Sequence, residues 1–192
     1  MNQTYVSLDL ETTGLNPETD GITEVGAVKF RGEKIVDTFH TMVNPHQPLP
    51  YHIHRLTGIT QQELASAPPF SSIAADLIDF IGNHPIVGQS PDFDIGFLSH
   101  QGVKLSNTLY DTLEMARLLL PRLTDYSLSS LARHLEITYE VQHRALSDAM
   151  AAKGVFLALL NRACQLDLSL ISEIVRLMSA TEWPLLPLLL DI

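Results

Sequence analysis

The chain has 192 residues, 45% of them hydrophobic and 18% charged, with a net charge of −10 at neutral pH. That balance supports one globular domain with a sizeable core and excludes a disordered chain. No apolar run approaches the roughly 20 residues that span a bilayer, so no membrane partner is expected. The acidic excess argues against a tight, nonspecific coat on duplex nucleic acid, which needs many cations. It does not argue against an enzyme that gathers carboxylates around metal ions. Residues 1–4 lack the basic and apolar regions of a signal peptide. The single cysteine, Cys164, excludes an intrachain disulfide and fits a reducing cytoplasm. It falls in an apolar helical stretch and is expected to pack as a small core residue.

Residues 4–10 nearly alternate apolar and polar side chains and predict a first strand. Residues 14–21 carry Gly, Pro, Asn and Asp and predict a loop. Residues 22–30 and 33–43 predict two further strands about an Arg31-Gly32 turn, completing an antiparallel meander. Residues 44–50 are interrupted by proline and read as a loop. Thr60, with Glu63 three residues on, carries the signature of a capping box at the start of a short helix. Helical spacing then runs over 71–81 through Ile73, Ala74, Leu77, Ile78 and Ile81. Residues 86–88 are a short apolar run, read as a buried strand. Helices are predicted over 95–100, 112–120, 128–135 and 145–163, and an amphipathic helical pattern begins near Gln165. Strands first, then helix and strand alternating, predict an α/β fold: a mixed sheet flanked by helices.

Three constellations carry chemistry. In Asp9-Leu10-Glu11-Thr12-Thr13-Gly14, the two carboxylates stand at i and i+2 of a strand and share a face, while Leu8 and Leu10 turn to the core. Such a pair at the end of a buried strand is costly without a cation, and hard oxygen donors favour magnesium or manganese. A solvated acidic pair at a strand end would give the same pattern. In residues 88–98, Asp94 follows the strand-like run at the start of a helix whose apolar side is Phe93, Phe97 and Leu98. The helix dipole alone would also favour Asp94, and it is the sole explanation for Asp92. In His143-Arg144-Ala145-Leu146-Ser147-Asp148, a histidine precedes a long helix that carries an aspartate on its early turns. Beside a metal-held water that histidine is a natural general base; a surface histidine is the alternative. The other seven histidines, His52 and His54 among them, have no matching acidic partner in sequence and read as surface or packing residues.

Taken together, these motifs resemble the DnaQ-like 3′→5′ exonucleases in their DEDDh branch. The first motif matches at Asp9, Glu11, Thr12 and Gly14, the second at Asp94 after Phe93, and the third at His143 and Asp148. Leu56-Thr57-Gly58-Ile59-Thr60 and Tyr110-Asp111-Thr112 extend the resemblance, which runs from about residue 5 to residue 160. It departs at Gln89-Ser90, where the family usually has His-Asn.

The resemblance implies an RNase H-like fold with antiparallel meander and parallel strands. It also implies an exonuclease domain over 1–163 and a helical apolar tail over 164–192 that packs on it or leads to a further domain. Two divalent ions, Mg2+ or Mn2+, would be held by Asp9, Glu11, Asp94 and Asp148, with His143 as base. Leu10, Thr12, Thr13, Leu56 and Phe93 would touch substrate; core packing is the alternative for Leu56 and Phe93. Arg144 and Arg55 would reach phosphate or simply be solvated. The implied activity removes nucleoside 5′-monophosphates from single-stranded 3′ ends, DNA favoured over RNA, in repair, replication or end processing. The segment from Leu166 onward is similar to the stretch after the exonuclease domain in DinG-type exonuclease–helicase fusions. A helicase domain is therefore one expected partner and a polymerase served by proofreading the other. A weakly active module that grips 3′ ends is the reading from a different class.

Overall fold

The computed structural model describes residues 3–139, 141–178, 185, 186 and 188. Strands β1 (Tyr5–Thr12), β2 (Ile22–Arg31), β3 (Lys34–Met42), β4 (Ile86–Gly88) and β5 (Leu109–Asp111) form one sheet in the order β3-β2-β1-β4-β5. β1, β2 and β3 pair antiparallel, whereas β4 pairs parallel with both β1 and β5. The helices are α1 (Tyr51–Thr57), α2 (Gln61–Ser66), α3 (Phe70–Ile81), α4 (Asp92–His100), α5 (Thr112–Leu119), α6 (Leu128–His134), α7 (Ala145–Ala163) and α8 (Leu168–Met178). This is the mixed sheet with flanking helices that the sequence pattern predicts. Among the described residues, no single helix is long and apolar enough to cross a membrane.

The alternation of β1 divides the core between two sides of the sheet. Val6, Leu8 and Leu10 join Val25, Ala27 and Ile86 beneath α3 and α4, which contribute Leu77, Ile81, Phe97 and Leu98. On the other side Tyr5, Phe30 and Tyr110 lie beneath α5, α6 and α7, with Met115, Leu131 and Phe156. The Tyr5 ring stacks on Phe30 at 5.5 Å and meets Phe156 at 5.2 Å, an arrangement that adds about 1 kcal/mol per pair to the burial itself. Leu185 and Leu188 join this second cluster. Of the apolar ending, Trp183, Pro184, Pro187 and residues 189–192 lie outside the described residues.

Helix α7 positions the site. Nineteen residues give it a length of about 28 Å. Its small buried residues Ala145, Ala149, Ala151 and Ala152 let it lie close on the sheet. The closest approach is at Gly26 of β2, where a Cβ would overlap the backbone of Ala145 and Leu146.

Several elements differ from the sequence expectation. β1 runs to Thr12, so Glu11 sits within the strand, and α4 begins at Asp92, which puts Asp94 in its first turn. α1 has no counterpart in the predicted elements: it buries only Ile53 and Thr57 and therefore shows no apolar period. Its limits are nonetheless chemical, Pro50 before it and Gly58 after it at φ 74°. β5 is three residues long, too short to display alternation. Cys164 corrects the expectation of a packed residue: it follows the last turn of α7 and is exposed. The expected capping box is present, with Thr60 Oγ1 accepting from the Glu63 amide at 3.2 Å and Glu63 Oε2 accepting from the Thr60 amide at 2.7 Å.

Candidate active site

The site forms where β1, α4 and α7 meet. Asp9 and Glu11 project from β1 on the α7 side and are each partly buried. Asp94 arrives from α4 for a reason of backbone chemistry. The parallel pairing of β1 with β4 is confined to Val6 and Ser7. The amide of Leu10, farther along the strand, donates to Asp94 Oδ1 at 2.9 Å. A buried peptide N–H needs such a partner, so the strand itself fixes this carboxylate, which is 4% exposed.

Asp148 reaches the site from the start of α7 and is 8% exposed. Its Oδ1 accepts from the Tyr139 hydroxyl at 2.8 Å and, more weakly, from the Arg144 amide at 3.4 Å. His143 stands just before the helix with a left-handed backbone, φ 58°. Ligand atoms of Glu11, His143 and Asp148 all lie within 4.8 Å of one another.

Burial and crowding hold the carboxyl protons on. Asp9 is pushed well above the usual carboxylate range, first by burial and then by Asp94, Asp148, Glu11 and Glu24. Glu11 is pushed up to about 8 by burial, Asp148 and Glu24, with Arg144 pulling the other way. Asp94 is raised by burial despite the Leu10 hydrogen bond. Asp148 is raised by burial despite the hydrogen bonds from Tyr139 and the Arg144 amide and the charge of His143. Tyr139 is raised in turn by burial and by Asp148, which keeps its proton in place as a donor. Buried carboxyl groups gathered this closely, all with hard oxygen donors, fit divalent cations of the magnesium or manganese type. Asp9, Glu11, Asp94 and Asp148 are the residues that would hold them.

The five residues expected to touch substrate divide into two groups. Leu10, Thr12 and Thr13 are buried. Leu10 packs in the core with its amide committed to Asp94. Thr12 Oγ1 donates to the Gly14 carbonyl at 2.6 Å, and Thr13 Oγ1 accepts from the Gly21 amide at 2.9 Å, so both side chains fold the loop after β1. Leu56, on α1, is 50% exposed. Phe93 is half-buried, its ring 5.0 Å from Phe97. Gln89 and Ser90 are tied into the scaffold. Gln89 Nε2 donates to the Tyr126 carbonyl at 2.8 Å, and the Ser90 backbone amide donates to Asp111 Oδ1 at 3.0 Å.

Arg144 pairs with Glu24, its Nη2 2.9 Å from Oε1, and its side chain is 38% exposed. Glu24 and Tyr139 are the neighbours of the site that the sequence motifs do not contain. Glu24 had a signal, the lone carboxylate in a mainly apolar predicted strand. Tyr139 had none, lying between helices in a segment without periodicity.

A mixed sheet whose central strand ends in paired carboxylates, completed by an aspartate from each flanking helical layer and by a histidine, defines a nuclease of the RNase H-like type. The chain belongs to the RNase T exonuclease family, whose model matches residues 6–156. It is similar to the PolC-type DNA polymerase III of Caldanaerobacter subterraneus subsp. tengcongensis, 37% identical over 174 residues that cover 88% of this chain and 12% of that polymerase. The corresponding polymerase of Oceanobacillus iheyensis is 40% identical over 172 residues, 86% of this chain and 12% of the polymerase. The chain thus spans about an eighth of the length of these curated relatives. The solved structure of Exonuclease X in complex with 5′ overhanging duplex DNA shares the fold, with a TM-score of 0.70 at 24% identity over 84% of this chain and 94% of that one. The DnaQ-like exonuclease character expected from the three motifs is borne out.

Proposed function

We propose that the chain is a 3′→5′ exonuclease domain that shortens single-stranded DNA ends one nucleoside 5′-monophosphate at a time, in the cytoplasm, as an excision module beside a DNA polymerase. The observation that carries this reading is the convergence of Asp9, Glu11, Asp94 and Asp148, delivered by three separate elements, with His143 adjoining Glu11 and Asp148. Identity to PolC-type polymerases supports DNA over RNA and a polymerase context over a helicase fusion. Two divalent ions, Mg2+ or Mn2+, would supply charge stabilisation for the attacking and leaving oxygens and an activated water. His143, placed beside Glu11 and Asp148, would accept the proton of the attacking water. Asp94, locked by the Leu10 amide, keeps its orientation without help from solvent. The exposed Leu56 and the half-buried Phe93 offer apolar surface to the terminal bases, a hold that tolerates any sequence.

The test is a time course on 5′-labelled single-stranded DNA and RNA of one sequence, with magnesium, manganese or chelator, for the wild type and Asp148→Ala. A ladder that shortens from the 3′ end on DNA, needs metal and is absent in the variant is the expected result. Binding without shortening on either strand would leave only a 3′-end-gripping module. Faster shortening of RNA would reverse the choice of sugar.

A further inference from the structure

Glu24 is a buried carboxylate beside the site to which hydrolysis gives no task. It lies on β2 directly across from Glu11 and is 0% exposed. Like charges facing each other across a strand pair are destabilising, so its presence there needs a reason. Its contacts supply one. Both carboxylate oxygens accept from Arg144 Nε, at 3.2 and 3.1 Å, and Oε1 also accepts from Arg144 Nη2 at 2.9 Å. Oε2 accepts from the Ala145 amide at 3.1 Å, and Oε1 lies 2.6 Å from His40 Nε2.

These contacts do what local sequence leaves undone. Arg144, at the start of α7, provides no side-chain cap of its own. The orphan N–H of Ala145 is instead capped from the neighbouring strand. Two residues farther along β2 and on the same face, Gly26 admits the backbone of Ala145 and Leu146 where any side chain would collide. One face of β2 thereby fixes residues 144–146, by charge at Glu24 and by contact at Gly26. The residue before them is His143, held in a left-handed conformation that non-glycine residues avoid unless surroundings enforce it. Arg144 also offsets the charge of Glu24 opposite Glu11, which Glu24 pushes up and Arg144 pulls down.

We propose that Glu24 and Arg144 form a positioning clamp that sets the His143 imidazole against Glu11 and Asp148, making Glu24 necessary for turnover although it touches no reacting atom. The inference rests on the reading of His143 as general base. The experiment is a double-mutant cycle on the full chain with single-stranded DNA. It measures kcat, KM, the manganese concentration for half-maximal rate and the melting temperature for Glu24→Gln in wild-type and His143→Ala backgrounds. A misplaced base loses on the order of 10²-fold in rate. That loss is expected in kcat, with KM and the manganese requirement unchanged, and it should vanish once His143 is absent. Equal losses in both backgrounds would overturn the clamp. Full activity of His143→Ala would instead remove the general-base reading, a separate outcome. Arg144→Lys, at a side chain 38% exposed, keeps the charge but not the two-pronged geometry and is the variant that preserves the fold. It should show the same His143-dependent loss, whereas wild-type turnover would mean that charge alone matters and positioning fails.

Discussion

The interface between α7 and the sheet has two ends of opposite character. At one end Phe156 meets Tyr5, Phe30 and Tyr110 in a closed aromatic cluster. At the other, only two helical turns away, Asp148 meets Asp9 and Glu11, both raised by burial first and by their acidic neighbours second. The first end gains free energy from apolar burial, about 25 cal/mol for each Å2 removed from water. The second end spends it, by desolvating charge. One rigid helix joins them, so the aromatic end holds the repelling end together until cations arrive. Stability and chemistry are thereby separated along a single element.

That separation can be broken from either side. The largest effect expected is on activity: Asp148→Ala should lower exonuclease turnover by at least on the order of 10³-fold. The same change should raise the metal-free melting temperature, because one crowded carboxylate is gone. A lowered melting temperature with activity retained would place the chemistry elsewhere. Next comes Phe156→Ala, whose wild-type side chain is fully buried. Denaturant titration should show a loss of about 3–5 kcal/mol, with calorimetric manganese affinity kept in the fraction that remains folded. A loss of metal affinity in that folded fraction would show the two ends to be one unit.

Gly26→Ala probes the junction. Overpacking α7 against β2 should cost about 1–3 kcal/mol, and activity should fall by more than the stability loss explains because Asp148 is carried away from Asp9. Unchanged kinetics in this variant would mean that the close approach serves packing alone.

The smallest effect is a pH trend. The folded state holds the Glu11 proton up to about 8, against an ordinary value of 4.5. The metal-free fold therefore binds this proton more tightly than the unfolded chain does, and stability falls as pH rises from about 4.5 to about 8. Solvent screening of this partly buried group keeps the change modest. Divalent metal needs the ligands deprotonated, so its stabilising effect should grow across the same window and its binding should release protons. Melting curves with chelator and with manganese, taken at several pH values, check both slopes. A flat chelator curve would mean that neither burial nor the acidic neighbours raise Glu11.

The chemistry of the site was legible because it follows from short-range rules. Asp9 and Glu11 share a face two residues apart on a strand, and His143 and Asp148 bracket the start of one helix. What stayed illegible depends on pairings distant in sequence. Glu24 and Arg144 are 120 residues apart, and only the register of β2 against β1 together with the docking of α7 brings them into contact. The tie from Leu10 to Asp94 spans 84 residues, and it shows an amide acting at a position where the side chain alone would be read. Cys164 was misplaced for a different reason. Composition near a helix end does not say which way the last turn faces, and Ala163 is buried while its neighbour is not. The two overlooked elements, α1 and β5, bury too few residues to impose a period on the sequence.

Gly26 has no side chain to carry charge or bind a ligand, yet opposite Asp9 even a methyl group would force the backbone of α7 to shift. Its contribution is empty volume. A genetic selection for loss of function would recover substitutions at this glycine together with those at the carboxylates. A reader of that selection would mistake a spacer for a participant.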